Sequence, residues 1–323
     1  MLAHAVALPG GKLKKGHVLR PEDVAALAAA GLAEVIVARL EPGDVGEDRA
    51  ASRLARALVP DPEAAGLRLE APFTGRVNIR ATGPGVVELD AAAIGRLNAV
   101  HPMITLATVP EWQRVAEGTM VGTVKIIAYA VPEAALEAAC AAGAGAMRRR
   151  MPVVEKADLI VTETAPGAAK AEDRALRAVW ARVARLGIAQ GATRVVAHEA
   201  RAVAAAIGES GAGMVLILTG SATSDIDDVV PAGLRAAGGA VIRFGMPVDP
   251  GNLLVLGRQG GRPVIGLPGC ARAPALNGAD WVLERVACGV EVTGADIAAM
   301  GVGGLLKEIP TRPQPRERRL TPP

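Results

Sequence analysis

Aromatic side chains are nearly missing from this 323-residue sequence, which holds three Trp, two Phe and one Tyr. That scarcity argues against an aromatic-filled β-sandwich and removes the stacking platforms that hold single-stranded nucleic acids. No charge excess replaces them. The 36 Lys and Arg stand against 33 Asp and Glu, a net charge of +3. The basic excess is gathered at Arg148-Arg149-Arg150, read as a solvated charge run, and between Arg312 and Arg319. This is too little for a nucleic-acid groove, so no nucleic acid is expected as a partner. Cysteine is sparse as well. Cys140, Cys270 and Cys288 form no C-x-x-C pair and their number is odd, which excludes a disulfide framework and favours a reducing, cytoplasmic setting. Met1-Leu-Ala-His-Ala-Val lacks a charged start followed by a long apolar stretch. No run of about 18 apolar residues occurs either, so neither export nor a membrane span is expected.

What the chain has in quantity is Ala, Val, Leu and Gly, the material of Ala-rich helices on Val-rich strands. The section 1–131 reads as a strand-rich accessory domain. It opens a short helix at Pro21, has a β-type run at Glu34-Val-Ile-Val, a helical stretch from Asp44 to Leu58, and hairpin patterns at 71–79 and 118–127. Residues 132–150 read as a linker helix. From 151 to 309 strands alternate with helical stretches: Asp158–Glu163, Arg194–Ala197, Met214–Leu218 and Ala240–Phe244 are separated by helices at 172–186, 199–207 and 229–237. That alternation predicts right-handed βαβ units. The fold class expected is α/β, a parallel sheet with helices on both faces, preceded by a smaller strand-rich mixed domain. Runs at 253–256 and 263–267 are expected to pair antiparallel at the sheet edge, and Gly278–Ala287 to form a helix capped by Asn277. The Pro-rich 310–323 reads as a disordered tail or linker.

Three loops leave apolar runs and enter Gly, Pro, Asn or Asp: Thr219-Gly-Ser-Ala-Thr-Ser-Asp225-Ile-Asp-Asp228, Pro247-Val-Asp-Pro-Gly-Asn252 and Gly266-Leu-Pro-Gly-Cys-Ala-Arg272. In open α/β sheets ligands sit beyond the carboxyl ends of the strands, where these junctions fall. The first loop offers hydroxyls and backbone amides at an expected helix start, suited to a phosphate. It is neither a Walker loop nor Gly-x-Gly-x-x-Gly. Asp225, Asp227 and Asp228 could hold Mg²⁺ against that phosphate or simply cap the next helix. Asp249-Pro-Gly-Asn252 reads as a turn. Cys270 beside Arg272 invites a thiolate reading, against which stands the absence of a local Cys–His signature. His198 reads as a capping or packing residue, with a ligand or base as the alternative, and Lys170 with Glu172 as a solvated helix start or a phosphate contact.

The order Leu-Thr-Gly-Ser-Ala-Thr-Ser-Asp, Gly-Met-Pro-Val-Asp-Pro-Gly-Asn and Gly-Leu-Pro-Gly-Cys-Ala-Arg resembles the molybdopterin-binding domain of molybdenum-cofactor biosynthesis proteins, in layout the molybdopterin molybdotransferase branch. The resemblance spans residues 155–290. It implies that Thr219, Gly220, Ser221, Thr223 and Ser224 hold the cofactor phosphate. It further implies that Asp249, Pro250, Gly251, Asn252, Pro268, Gly269, Cys270 and Arg272 line the pterin side. Asp228 is the implied catalytic residue, at the family's acidic position for metal-assisted chemistry, and Asp225 with Asp228 the implied Mg²⁺ ligands. The implied ligand is molybdopterin, its adenylylated form or the molybdenum cofactor. Ser221, Asn252 and Cys270 depart from the family's Gly, Lys and Asn. Without the Lys a point charge for phosphate or molybdate is gone, so two readings stay open: Mg-dependent molybdate insertion, or a non-catalytic carrier.

A related bacterial group carries this domain fused to a molybdenum-cofactor nucleotidyltransferase, whose Gly-rich start is not found here. A nucleotidyltransferase or a molybdoenzyme is therefore the implied protein partner. Residues 1–131 faintly resemble the molybdotransferase accessory region and would serve a homodimer.

Overall fold

The computed structural model describes residues 1–165 and 173–306, so Lys170, Glu172 and the expected tail 310–323 lie outside the described residues. Two compact units are present, Met1–Gly83 with Val87–Arg149 and Pro84–Val86 with the chain from Arg150 onward.

In chain order the elements up to Arg150 are β1 (Val6–Leu8), β2 (Gly11–Leu13), α1 (Pro21–Ala29), β3 (Asp44–Gly46), α2 (Glu47–Leu58), β4 (Leu67–Leu69), β5 (Arg76–Ala81), β6 (Gly85–Leu89), α3 (Ala91–Val100), β7 (Ile104–Thr108), β8 (Arg114–Val115), β9 (Met120–Ile126), β10 (Ala130–Pro132), α4 (Glu133–Ala142) and β11 (Met147–Arg150). Strands β4-β5-β9-β7 form an antiparallel sheet. Helix α2 buries Ala50, Leu54 and Leu58 with Ala51 and Ala55, the i, i+4 stripe its sequence dictates.

The 132–150 segment is no linker: Leu136 and Ala139 of α4 are buried in the same core as α2. Its arginines are not a solvated run either. In β11 alternate residues face opposite ways, so Arg149 is buried with Nε donating to the Gly66 carbonyl at 3.0 Å, while Arg148 grips Glu88 through two bonds of 2.7 Å. Among the described residues the run at 34–37 makes a single bridge, Val37 with Leu2, and Ile36 is 68% exposed, with no strand there to cover it.

The second unit contains β12 (Lys156–Glu163), α5 (Asp173–Ala184), β13 (Ala189–Ala197), α6 (Ala200–Glu209), β14 (Met214–Leu218), α7 (Val229–Ala236), β15 (Ala240–Phe244), β16 (Val255–Gln259), β17 (Arg262–Leu267), α8 (Gly278–Ala287) and α9 (Gly294–Ala299). Its six-stranded sheet has the order β13-β12-β14-β17-β16-β15. β13, β12, β14 and β17 run parallel, and β16 alone reverses, antiparallel to both neighbours. The β16–β17 hairpin turns through Gly260 and Gly261, both at positive φ, which a side chain would resist. The expected antiparallel pair therefore exists, but β17 takes a place inside the sheet rather than at its edge, because its Val264-Ile-Gly-Leu run pairs with the equally apolar β14. Ile160, Val215, Ile217 and Val264 point to α6 and α7, where Val203, Ile207, Val230 and Leu234 meet them. Helices α5 and α8 take the other face.

On that face a single buried arginine positions the loop after β17. The Arg182 guanidinium has five N–H groups. Nε donates to Asp280, Nη1 to the carbonyls of Ala178 and Ala271 at 2.9 Å each, and Nη2 to those of Ala273 and Ala275 at 2.8 and 3.0 Å. The other Asp280 oxygen accepts the Asn277 amide at 2.9 Å, closing the N-terminal cap of α8. Arg182→Met should cost about 3–5 kcal/mol in urea unfolding, the usual result of stranding a buried charge and its acceptors. Arg182→Lys should recover little, since an ammonium has three donors in a different geometry.

At the amino end of the sheet Asp158 is buried and accepts from Ser210 Oγ at 2.7 Å, the Ala192 amide at 2.7 Å and Arg194 at 3.3 Å. A bulge sets two residues of β13, Gly191 and Ala192, against this one residue of β12. Gly191 has no alternative, for a Cβ there would lie 2.2 Å from Asp158 Oδ1. Burial pushes the Asp158 carboxyl up, but the bonds from Ser210, Ala192 and Arg194 together hold it below the usual carboxylate range. A carboxylate depressed in the folded state stabilises it above the unfolded pKa of about 3.9, and that contribution is lost as pH falls through the folded value. Ser210→Ala should therefore cost about 1–3 kcal/mol at neutral pH. The gap between variant and wild type in urea midpoint should shrink as the pH is lowered below 4.

Candidate functional site

The first loop begins where the buried strand β14 ends. Thr219 is buried, and Gly220 lies so close to β12 that a Cβ would meet the Thr162 carbonyl oxygen at 2.7 Å. The Gly220 amide donates to Thr162 Oγ1 at 3.0 Å, and Thr162 Oγ1 is 2.8 Å from His198 Nδ1. His198 thus ties the end of β13 to the ends of β12 and β14. Thr162 escaped the sequence reading. The signal for it was a polar residue closing the apolar run Leu159-Ile-Val at the carboxyl end of a strand.

The loop then continues without helix to Asp228, so Thr219–Ser224 is not the first turn expected. The N-terminus of α7 already has an anion of its own. Asp228 caps it, Oδ1 accepting from the Val229 amide at 2.7 Å and Oδ2 from the Ser224 amide at 3.1 Å. Asp225 accepts the Asp227 amide at 2.8 Å, and Asp227 pairs with Arg235 at 3.0 Å. Of the two readings left open by the sequence, these bonds are those of caps and turns. No three metal-ligating side chains gather among the described residues. The amides of Ser221, Ala222 and Thr223 have no protein acceptor among the described residues and stay available to a ligand.

The other two loops join the first through named contacts. Arg272 Nη2 donates to the Thr219 carbonyl. Cys270 is exposed, and its Sγ accepts from Asn277 Nδ2 at 2.9 Å. Asn277 Oδ1 caps α8 through the Ala279 amide at 3.0 Å, and the next amide, Gly278, donates to the Pro250 carbonyl at 2.8 Å. The Asp249–Pro250 peptide is cis, and Gly251 packs so tightly that a Cβ would sit 2.8 Å from the Gly278 nitrogen. Asp249 pairs backbone with Gly304 and Leu306. Pro268 is buried, while Ser221, Ser224, Asn252, Gly269 and Cys270 are exposed at the carboxyl ends of β14 and β17 or on the loop before β16. The predicted residues therefore lie on one connected rim.

A cavity of about 810 Å³ lies elsewhere, at the amino ends of the strands, lined by Lys156, Gly213, Arg258, Pro263 and Val290 among others. It touches none of the three loops. In parallel sheets it is the carboxyl ends that gather loop amides and helix starts, and here they also gather the glycines that allow close approach.

Among known families, the one described as "Domain of unknown function (DUF8806)" matches residues 1–39. No curated protein matches the chain. Among solved structures, a molybdopterin biosynthesis MoeA protein from Pyrococcus horikosii is similar at 17% identity over 77% of this chain and 81% of that one, with a TM-score of 0.32. A molybdenum cofactor biosynthesis protein from Pyrococcus furiosus is similar at 15% identity over 78% of this chain and 73% of that one, with a TM-score of 0.26.

Proposed function

We propose that the second unit binds a phosphorylated pterin of the molybdopterin type and serves molybdenum-cofactor biosynthesis. The observation that carries this reading is the linkage of the three sequence-selected loops by hydrogen bonds, from Thr162 to Gly220, Thr219 to Arg272, Cys270 to Asn277 and Gly278 to Pro250. In it the amides of Ser221, Ala222 and Thr223 meet the phosphate, with the hydroxyls of Ser221 and Ser224 beside them. Backbone donors suit a tetrahedral anion because they are fixed in direction and add no charge of their own. Gly269 and the Asn252 side chain offer the pterin a small surface and an amide-type edge.

Two observations favour a carrier over an inserting enzyme. Asp228 is occupied as the cap of α7, and Asn252 supplies no cation where the resembling family has Lys. The carrier would hold finished or nearly finished cofactor and pass it to a nucleotidyltransferase or a molybdoenzyme.

Protein made in a molybdenum-competent host should release a pterin phosphate on denaturation, identified by mass spectrometry; a phosphate ligand without a pterin would sink the reading. Ser221→Asp, at an exposed position, should weaken pterin binding by about tenfold or more, roughly 1.4 kcal/mol, by setting a carboxylate against the phosphate. Its melting temperature should stay unchanged. Molybdate-dependent nucleotide release by the purified protein would rule out the carrier form while leaving pterin binding intact.

A further inference from the structure

We propose that the solvent face of the β4-β5-β9-β7 sheet, with the apolar tip at one end of it, docks on a lipid bilayer that carries anionic headgroups. The inference is independent of the pterin site. Arg68 of β4, Arg76, Asn78 and Arg80 of β5, and Thr123 and Lys125 of β9 lie on the side away from the core that Leu67, Val77, Ile79 and Val124 join. Cross-strand register sets Arg68 directly opposite Arg80, and Arg76 directly opposite Lys125. Like charges facing each other across strands weaken a sheet, and an anionic surface laid on this face would relieve both pairs. The carboxylates nearby only half offset the cations. Glu70 pairs with Arg80 and also faces Arg68. Glu47 faces Lys125 and Lys15, and Asp48, whose carboxylate accepts the Gly75 amide at 2.6 Å, is followed by Arg49. With Arg76, six cations stand against three carboxylates, an excess equal to the +3 of the whole chain. Glu117 stands beyond the far end of β5, beside the Gly118 carbonyl that accepts from Arg80.

The tip says which anionic surface fits. In antiparallel neighbours the start of β5, the end of β9 and the start of β7 share one end of the sheet. There Phe73 is 76% exposed and Ile127 58%, with Met103 exposed beside them. The Ile126 amide donates to the Gly75 carbonyl at 2.8 Å and the Ile127 amide to the Met103 carbonyl at 2.9 Å, so the three side chains stand on adjoining backbone. Lys125 Nζ donates to the Thr74 carbonyl, and with the Asp48 bond this fixes the 73–76 turn. Lys15 and Arg49 line a hollow next to Phe73 and Thr74. One of the two Phe in the chain is thus held in water among cations. A nucleic acid would use the charge and waste the tip, and the face carries no aromatic ring among its described residues to stack a base. A bilayer uses both, taking apolar side chains below the headgroups and basic ones among them.

The test uses the full chain and vesicles of phosphatidylcholine, alone or mixed with phosphatidylglycerol, in a co-sedimentation assay. The mixed vesicles should carry the protein down at low salt, the neutral ones should not, and added salt should release it. Arg76→Glu should weaken binding to the mixed vesicles by about tenfold or more, because it reverses one charge at the surface. Phe73→Ser should give a loss of similar size without changing the salt dependence. Both residues are exposed, so circular dichroism of the variants should match wild type. Absence of binding to the mixed vesicles, equal binding to the neutral ones, or indifference to either substitution would each overturn the proposal. So would tighter binding, per anionic group, to polyglutamate or duplex DNA than to the mixed vesicles, which would assign the face to an acidic protein or a nucleic acid.

Discussion

The site rim depends on one buried guanidinium. The loop from Leu267 to Asn277 crosses the carboxyl end of β17 with little regular structure of its own, and its carbonyls at Ala271, Ala273 and Ala275 would be costly to bury unpaired. Arg182 satisfies all three and is itself neutralised by Asp280. Through Asp280 and Asn277 the same arrangement fixes the start of α8 and hence Pro250 and Gly251 of the neighbouring loop. A polar hub of this kind adds little net stability over an apolar filling, but it allows one loop path only. That suits a surface whose exposed groups must hold fixed positions relative to one another.

The loops show how charge can be used up before a ligand arrives. An aspartate in front of a helix is equally good sequence material for a cap and for a metal ligand. Asp228 spends both oxygens on amides, and the first loop is thereby bent back over α7. Beside Gly220 the amides of Ser221, Ala222 and Thr223 stay open, with the exposed hydroxyls of Ser221 and Ser224 next to them.

Much of the sheet was legible because its strands carry their own signature. Met214–Leu218 and Ala240–Phe244 were read to the residue, as was α8 with its Asn277 cap, since unbroken apolar runs and an N-cap side chain are local signals. Position within the sheet is not local. Nothing in Arg262–Leu267 announces that it pairs with β14, and the first half of β13 carries almost no apolar residues because it lies at an edge. Arg182 and Arg149 were invisible for a related reason: an arginine in an Ala-rich helix or a basic run reads as solvated unless its acceptors, far away in sequence, are known. Of the candidate site, the three loops were legible from glycine and proline; Thr162, His198 and the arginine behind them were not, because their roles exist only across strands.

The bulge opposite Asp158 carries a consequence of parity. Side chains on a strand alternate, so one supernumerary residue exchanges the two faces for everything that follows it. With Gly191 and Ala192 together opposing a single residue, Thr193 and Val195 inherit the α5 side and Arg194 the α6 side, where Asp158 and Glu209 await it. Were the same residues paired one to one with β12, Arg194 would fall on the α5 side and Asp158 would lose its cation. The insertion works as a switch in counting, and it sorts charge from grease along the whole remaining strand.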